Sequence, residues 1–199
     1  MQPYSLNTKK TQLHIRNMIC ESCIKVVKWE LERTGFIQVN EVKLGEAVIS
    51  YNEGVINLDF INAVLKRNGF ELIENKELIL VEKIKSSMIQ LIFYGNNTNS
   101  ILRNSDFLSQ KLELPYPTLS KIFHKHQGIT LEKYIIQLKT EKVKELITYE
   151  DLTLSEIAYM MGYSSVAHLS KQFKLVIGFG VAEFKKDRAN ARVPLNKLF

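Results

Sequence analysis

Two cysteines lie three residues apart near the start of the chain, and their spacing suits metal or redox chemistry. The segment from Asn17 to Cys23 reads NMICESC, and Cys20 and Cys23 are the only cysteines among the 199 residues. At a strand-to-helix junction both sulfurs can face one point, and the helix N-terminus is expected to lower the pKa of the thiols. Paired thiolates suit Cu(I), or Zn(II) with further ligands, and a redox dithiol is equally compatible with the spacing. Two cysteines in one motif exclude a disulfide framework.

A second informative stretch lies near the other end of the chain. Residues 155–174 read SEIAYMMGYSSVAHLSKQFK. Apolar residues at helical spacing, a glycine and then Leu169 and Phe173 four residues apart are the parts of a helix-turn-helix unit. Thr153, followed three residues later by Glu156, predicts a capping box for the first helix. Ser164 or Ser165 is expected to cap the second helix.

The same pattern occurs once more, earlier in the chain. The segment FLSQKLELPYPTLSKIFHKHQG carries Leu108 and Leu112 before a turn, and Leu119 and Phe123 after it. Residues 130–148 between the two patterns read as one long helix that would hold them apart. The sequence therefore predicts a duplicated helix-turn-helix.

The elements that position the cysteines are read from periodicity in the first seventy or so residues. Alternating residues predict strands around 11–15, on both sides of Gly45 and from Phe70 onward. Helical spacing predicts helices at 24–31, with Ile24, Val27, Trp29 and Leu31 as the apolar set, and at 57–68. The order is βαββαβ, a small ferredoxin-like sandwich, so the whole chain is predicted as an α+β protein with an all-α second half.

Composition and charge set further bounds. Residues with apolar side chains make up 45% of the chain, which is enough for real cores. The net charge is +6, but residues 1–74 carry 9 basic and 9 acidic side chains, and half of the excess lies after residue 187. Bulk charge alone is therefore weak support for a polyanionic partner. We divide the chain into a first domain at 1–74, a connecting helix and loop at 75–100, a paired helix-turn-helix domain at 101–187 and a basic tail at 188–199.

The first domain resembles the heavy-metal-associated domain of copper chaperones and metal-pumping ATPases. The resemblance rests on Met-x-Cys-x-x-Cys between the first strand and first helix of a βαββαβ chain, and it spans about 11–73. It implies that Cys20 and Cys23 are metal ligands, with Met18 packed beneath the loop and Phe70 near it. The family usually has Gly before the Met, where this chain has Asn17, and Asn tolerates the left-handed backbone better than most residues.

The second half closely resembles the AraC-type DNA-binding domain of bacterial transcription regulators, on the stretch IAYMMGYSSVAHLSKQFKLVIG and its earlier repeat. The resemblance implies two recognition helices that enter successive major-groove segments of double-stranded DNA. The Arg common in the linker helix of the family corresponds here to Lys139. The residues implied to contact DNA are Pro117, Thr118, Ser120, Lys121 and His124 in the first motif, and Ser164, Ser165, Val166, Ala167, Ser170 and Lys171 in the second.

These observations favour a sequence-specific transcription regulator of the AraC type that responds to metal or thiol redox state through the CxxC motif. The alternative is a metal carrier whose helical half binds a protein partner. No nucleophile with a histidine partner and no phosphate-binding glycine loop is apparent, so we predict no enzyme. The prediction adds RNA polymerase as a partner if the protein activates, a cytoplasmic location and no membrane. The operator, activation or repression, the metal and the oligomeric state stay open.

Overall fold

The computed structural model describes residues 8–95, 104–149 and 152–186. The chain divides into two compact units, one ending at Ser86 and one beginning at Ser87, so the division falls inside the predicted connecting segment 75–100. The predicted basic tail at 188–199 lies outside the described residues.

The first unit is built from a four-stranded antiparallel sheet and helices. Its sheet order is β2-β3-β1-β4, so the first and last strands of the unit pair with each other. The predicted βαββαβ order is confirmed. The elements are β1 (Thr8–Arg16), α1 (Glu21–Glu32), β2 (Ile37–Lys43), β3 (Glu46–Asn52), α2 (Leu58–Lys66), β4 (Glu71–Leu72) and α3 (Lys76–Ile89).

The core of this unit forms where the alternating residues of the strands meet the helices. Leu13 and Ile15 of β1 are buried together, as the two-residue period of a strand requires. In α1 the buried apolar stripe runs through Val27 and Leu31, four residues apart. The placement of Trp29 in the apolar set of this helix was wrong, because its side chain is 57% exposed. Its ring instead lies 4.6 Å from the guanidinium of Arg33 one turn later.

Helix α3 continues into a π-helical segment, Gln90–Tyr94, which ends at Gly95. A helix over this stretch was predicted, and its last turn is wider than an α-helical one. In the first unit α3 is tied to the hairpin by the ion pair between Lys83 Nζ and Glu46 Oε1 at 3.3 Å. In the second unit the π segment contacts α6 and accepts a 2.8 Å hydrogen bond from Lys111 Nζ at Gln90 Oε1.

The second unit is helical throughout its described part after Gly95. The long helix α6 forms its centre and buries apolar side chains on several faces, together with the 2.6 Å ion pair between Lys144 Nζ and Glu141 Oε1. The elements are α4 (Asn104–Leu112), α5 (Tyr116–Gln127), α6 (Leu131–Tyr149), α7 (Leu154–Met160), α8 (Val166–Ile177) and α9 (Val181–Lys186).

None of the helices in the described parts of the chain combines the length and the apolar character needed to cross a bilayer.

Candidate nucleic-acid interface and thiol pair

The second helix-turn-helix motif is formed by α7 and α8. Thr153 and Glu156 make the predicted capping box at the start of α7. The turn passes through Gly162 at φ +69°, a left-handed conformation that glycine adopts without a steric penalty. Ser165 caps α8, because its hydroxyl accepts the backbone N–H of His168 at 3.1 Å. Well-capped ends of this kind fix where each helix begins.

The first motif, α4 and α5, reaches the same arrangement with different residues. Its turn passes through Glu113 at φ +55°, where a side chain is present in the left-handed region. Pro115 precedes α5 and offers no side-chain cap, and Pro117 lies in the first turn, where its missing N–H costs nothing. The chain therefore builds two similar motifs with unequal turn chemistry.

The two motifs repeat at a spacing of 50 residues, since α5 begins at residue 116 and α8 at 166 and each has 12 residues. Each helix ends at a left-handed glycine, Gly128 in one and Gly178 in the other. Phe123 packs on Tyr134 with ring centroids 5.0 Å apart, and Phe173 packs on Phe184 at 5.5 Å. Equivalent aromatic pairs thus hold each helix to the element that follows it.

The residues predicted to contact DNA lie on the outer sides of α5 and α8 and in the turn before α8. Those with exposed side chains are Pro117, Thr118, Lys121, His124, Ser164, Ser165, Ala167 and Lys171, and those that are half-buried are Ser120, Val166 and Ser170. The repeat superposes the Ser-Lys pair of α5, 120–121, on that of α8, 170–171. Each helix therefore presents a lysine and a hydroxyl in the same place.

Two exposed polar side chains of α8 were not among the predicted contacts, namely His168 and Lys174. At a spacing of 50 residues they correspond to Thr118 and His124 of α5, which were predicted. Applying the repeat strictly to the sequence would have found both.

The second motif is fastened to α6 by Lys139. Its Nζ donates a 3.0 Å hydrogen bond to the carbonyl of Met161, in the turn of the motif, and lies 5.7 Å from the ring centroid of Tyr163. Burial lowers the pKa of Lys139 and raises that of Tyr163 to about 12. A single nitrogen on α6 thus reaches both the backbone and an aromatic ring of the turn.

The first motif is fastened to α6 at a different point. Tyr116, the first residue of α5, donates its hydroxyl to Glu132 Oε1 at 2.8 Å. Burial, with this bond to a carboxylate as a second cause, raises the pKa of Tyr116. The fastening of the first motif is therefore at the start of its recognition helix, and that of the second is in the turn.

The thiol pair lies at the start of α1. Cys20 is the N-cap residue and the two sulfurs are 3.3 Å apart, both on half-buried residues. The expectation of a lowered thiol pKa was wrong for Cys23, because burial raises the pKa of this thiol and outweighs the backbone hydrogen bonds that lower it. Desolvation of the charged form therefore exceeds the effect of the helix N-terminus at this sulfur.

The loop that carries the thiols has the conformation expected for its asparagine. Asn17 has φ +70°, and its side-chain Nδ2 donates a 2.9 Å hydrogen bond to the carbonyl of Gly69. Met18, next to Asn17, and Phe70, next to Gly69, are both buried. Across the described ranges no group of three or more His, Cys, Asp or Glu side chains is arranged to hold a metal ion. The loop therefore offers a metal ion two thiol sulfurs.

Comparisons with known proteins agree on the second unit. Residues 108–187 match a family model described as a helix-turn-helix domain. The Msm operon regulatory protein of Streptococcus mutans serotype c is 32% identical over 91 residues, which is 46% of this chain and 32% of that protein. The HTH-type transcriptional activator RhaS of Escherichia coli O139:H28 is 24% identical over 85 residues, 43% of this chain and 31% of that protein.

A solved structure, the C-terminal domain of the two-component response regulator yesN from Fusobacterium nucleatum, matches 56% of this chain and 99% of its own at 27% identity and a TM-score of 0.43. The chain spans about a third of the length of the curated relatives named above. Those relatives are named as regulators of transcription or of an operon. The family model identifies residues 108–187 as a helix-turn-helix domain, and the relatives and the duplicated motif agree with it.

Proposed function

We propose that this protein is a sequence-specific DNA-binding transcription regulator that reads duplex DNA with α5 and α8. The observation that carries the proposal is the repeat: two capped or proline-started helices of equal length, each with an exposed polar side, are held by one long helix. A helix of this kind fits the major groove, and the residues near its N-terminus reach the base edges.

The chemistry of the exposed sides suits DNA. Lys121 and Lys171 can donate to guanine O6 or N7, or to phosphate oxygens. Ser120 and Ser170 can bond to either, and Ala167 suits a thymine methyl group. Because the two helices share the Ser-Lys pair and differ elsewhere, they are expected to prefer different bases on the two parts of one site.

The test is selection of binding sites from a pool of random duplex DNA by the full chain, followed by affinity measurements on the selected duplex. Lys121→Ala and Lys171→Ala are each expected to lower affinity several-fold and to reduce the slope of binding against salt by about 1. Lys25→Ala, the same change at an exposed lysine of the first unit, is the matched control. Failure to enrich any sequence, or equal losses from all three variants, would contradict the proposal.

We further propose that the first unit is a ferredoxin-like domain of the heavy-metal-associated kind and that Cys20 and Cys23 sense Cu(I) or thiol oxidation. Two sulfurs 3.3 Å apart suit Cu(I), because thiolates are soft ligands that prefer a soft metal ion. Structural Zn(II) sites have four ligands, and the thiol loop offers two. Cu(I) binding would require the thiolate form and would release the thiol protons. Without metal, the raised pKa of Cys23 favours the protonated thiol.

A hydrogen bond connects the thiol loop to α3 within the first unit. The backbone N–H of Asn17 donates to Glu82 Oε2 of α3 at 3.4 Å. A ligand at the thiols alters DNA binding only if the DNA-bound and free forms hold it with different affinity. We expect the affinity for the selected duplex to change on adding Cu(I) or oxidant, and to stay constant in Cys20→Ser.

Three outcomes separate the hypotheses. Unchanged duplex affinity with Cu(I), Zn(II) and oxidant removes the sensing function and leaves DNA binding in place. Tight Cu(I) binding with no duplex binding favours the metal carrier whose helical half binds a protein. A change with oxidant alone favours the redox dithiol.

A further inference from the structure

His168 stands on the same exposed side of α8 as two of the predicted DNA contacts. It is the third residue of the helix, next to Ala167 and three residues before Lys171, and all three side chains are exposed. Residues three or four apart share a helix face, so these side chains form one strip at the N-terminal end of α8. The N-terminal residues of a recognition helix are those that reach base edges in the major groove.

The imidazole ring of His168 is oriented by its neighbours. Its Nδ1 lies 3.1 Å from the hydroxyl oxygen of Ser164, and its ring meets that of Tyr163 edge-on, with centroids 5.3 Å apart and planes at 87°. Tyr163 in turn lies against Lys139 Nζ from α6. The ring is therefore supported by a chain of contacts that reaches the long helix of the domain.

This support uses one ring nitrogen and leaves the other for a partner outside the chain. In the tautomer in which Nδ1 accepts a hydrogen bond from the Ser164 hydroxyl, the ring carries its hydrogen on Nε2. Because the side chain is exposed, Nε2–H can donate to an acceptor in solution. Guanine presents two such acceptors, O6 and N7, in the major groove.

Capping does not account for the arrangement. The cap of α8 is Ser165, whose hydroxyl takes the backbone N–H of His168 at 3.1 Å. Ser164 contacts the ring and not that backbone group. The Ser164 contact with the imidazole is therefore separate from the start of the helix.

We propose that His168 is a specificity-determining residue of the second motif, which donates from Nε2 to a guanine, and that Ser164 and Tyr163 are its positioning residues. The assignment rests on the DNA-binding function proposed above. In the first motif the equivalent position holds Thr118, whose shorter side chain cannot make the same contact. The difference at this position gives the two motifs different base preferences.

The test uses the full chain and the duplex that it selects from a random pool, with each base pair then substituted in turn. His168→Ala is expected to lose discrimination at one or two adjacent base pairs by about five- to a hundredfold, because single mismatches in protein–DNA sites have effects of that size. His168→Gln is expected to move the preference at that position from guanine toward adenine, which a glutamine amide recognises. Ser164→Ala, which leaves the Ser165 cap intact, is expected to give a smaller loss at the same base pair.

Two matched variants serve as controls. Lys185→Ala, at an exposed lysine of α9, is expected to keep the base preference at every position. Thr118→Ala is expected to change preference in the other part of the site. The proposal is overturned if His168→Ala keeps every base preference of the wild type, with or without a uniform loss of affinity. A wild-type chain that selects no sequence overturns the DNA-binding function as well, which distinguishes the two failures.

Discussion

The two helix-turn-helix motifs share their buried aromatic residues but differ in their turns, their N-caps and their attachments to α6. Phe123 and Phe173 are both buried in equivalent positions, each against the ring 11 residues later in the chain. The turns, the caps and the attachments to α6 are unlike each other. The comparison teaches that the core and the Ser-Lys pair of a duplicated motif are repeated, while the turn, the cap and the bond to α6 are set independently in each copy.

The largest expected effect tests whether the two cores are equivalent. Phe123→Ala and Phe173→Ala are each expected to lower the free energy of unfolding of the helical unit by about 3–5 kcal/mol, because each leaves a cavity in a packed core. Urea unfolding followed by helical circular dichroism measures both. Leu175→Ala, at a side chain that is 76% exposed, is the control and should change stability by less than about 0.5 kcal/mol. A large difference between the losses in unfolding free energy of the two Phe variants would show that the two cores do not contribute equally to stability.

The next effect tests the unequal fastening. Lys139→Met keeps the aliphatic stem but removes the donor to the Met161 carbonyl, and we expect a loss of about 1–2 kcal/mol. Tyr116→Phe removes the bond to Glu132 at a more exposed place and is expected to cost about 0.5–1 kcal/mol.

Amide hydrogen exchange locates the two losses. Lys139→Met should speed exchange in α7 and α8, and Tyr116→Phe should speed it in α5. Equal acceleration in both motifs by either variant would contradict separate fastening.

A smaller effect tests the turns. Glu113→Gly relieves a side chain from the left-handed region and is expected to raise stability by about 0.5 kcal/mol. Gly162→Ala, the reverse change in the second motif, should lower stability by about 1 kcal/mol, since its φ is +69°. Thermal unfolding of the two variants gives opposite shifts in Tm if the turns differ in strain as described.

The smallest effect tests the cap of α7. Hydrogen bonds from the side chain and backbone of Thr153 lower the pKa of Glu156 below 4.5. A carboxyl group whose pKa is lower in the folded state stabilises it above the unfolded pKa, and that stability is lost as pH falls through the folded pKa. The first turn of α7 is therefore expected to fray in acid below pH 4.5, while the first turn of α8, which is capped by the Ser165 hydroxyl, keeps its amide chemical shifts. Glu156→Gln, which retains a capping side chain without a titrating group, should remove the pH dependence.

Periodicity was sufficient to predict the strands and the first two helices of the first unit and the two helix-turn-helix motifs of the second. The two-residue alternation of Leu13 and Ile15 and the four-residue spacing of Leu169 and Phe173 each predicted the observed element and its buried side. Signals of this kind depend on local burial, which the order of apolar residues encodes directly.

Features that depend on competing interactions were not predictable in the same way. The pKa of Cys23 depends on a balance between desolvation and helix N–H groups, and its sign follows from the depth of burial. Trp29 is apolar but exposed, because Val27 and Leu31 already define the buried stripe and Arg33 covers the ring. The π segment at Gln90–Tyr94 was also missed, since a uniformly apolar run does not distinguish one helical width from another. The repeat could have placed His168 on the exposed side of α8, but the support of its ring by Ser164 and Tyr163 depends on geometry that the sequence does not encode.

The position of β1 in its sheet determines when during synthesis the strand finds its last partner. β1 pairs with β3 on one side and with β4 on the other, where Ile15 lies opposite Leu72. The ribosome therefore releases Cys20 and Cys23 well before β4 exists, and the bond from Asn17 to Gly69 that closes the thiol loop is among the last to form. Until residues 69–72 have emerged, the thiol loop lacks these partners, so the two thiols are expected to react with an added thiol-labelling reagent faster in a chain stalled before residue 69 than in the finished domain.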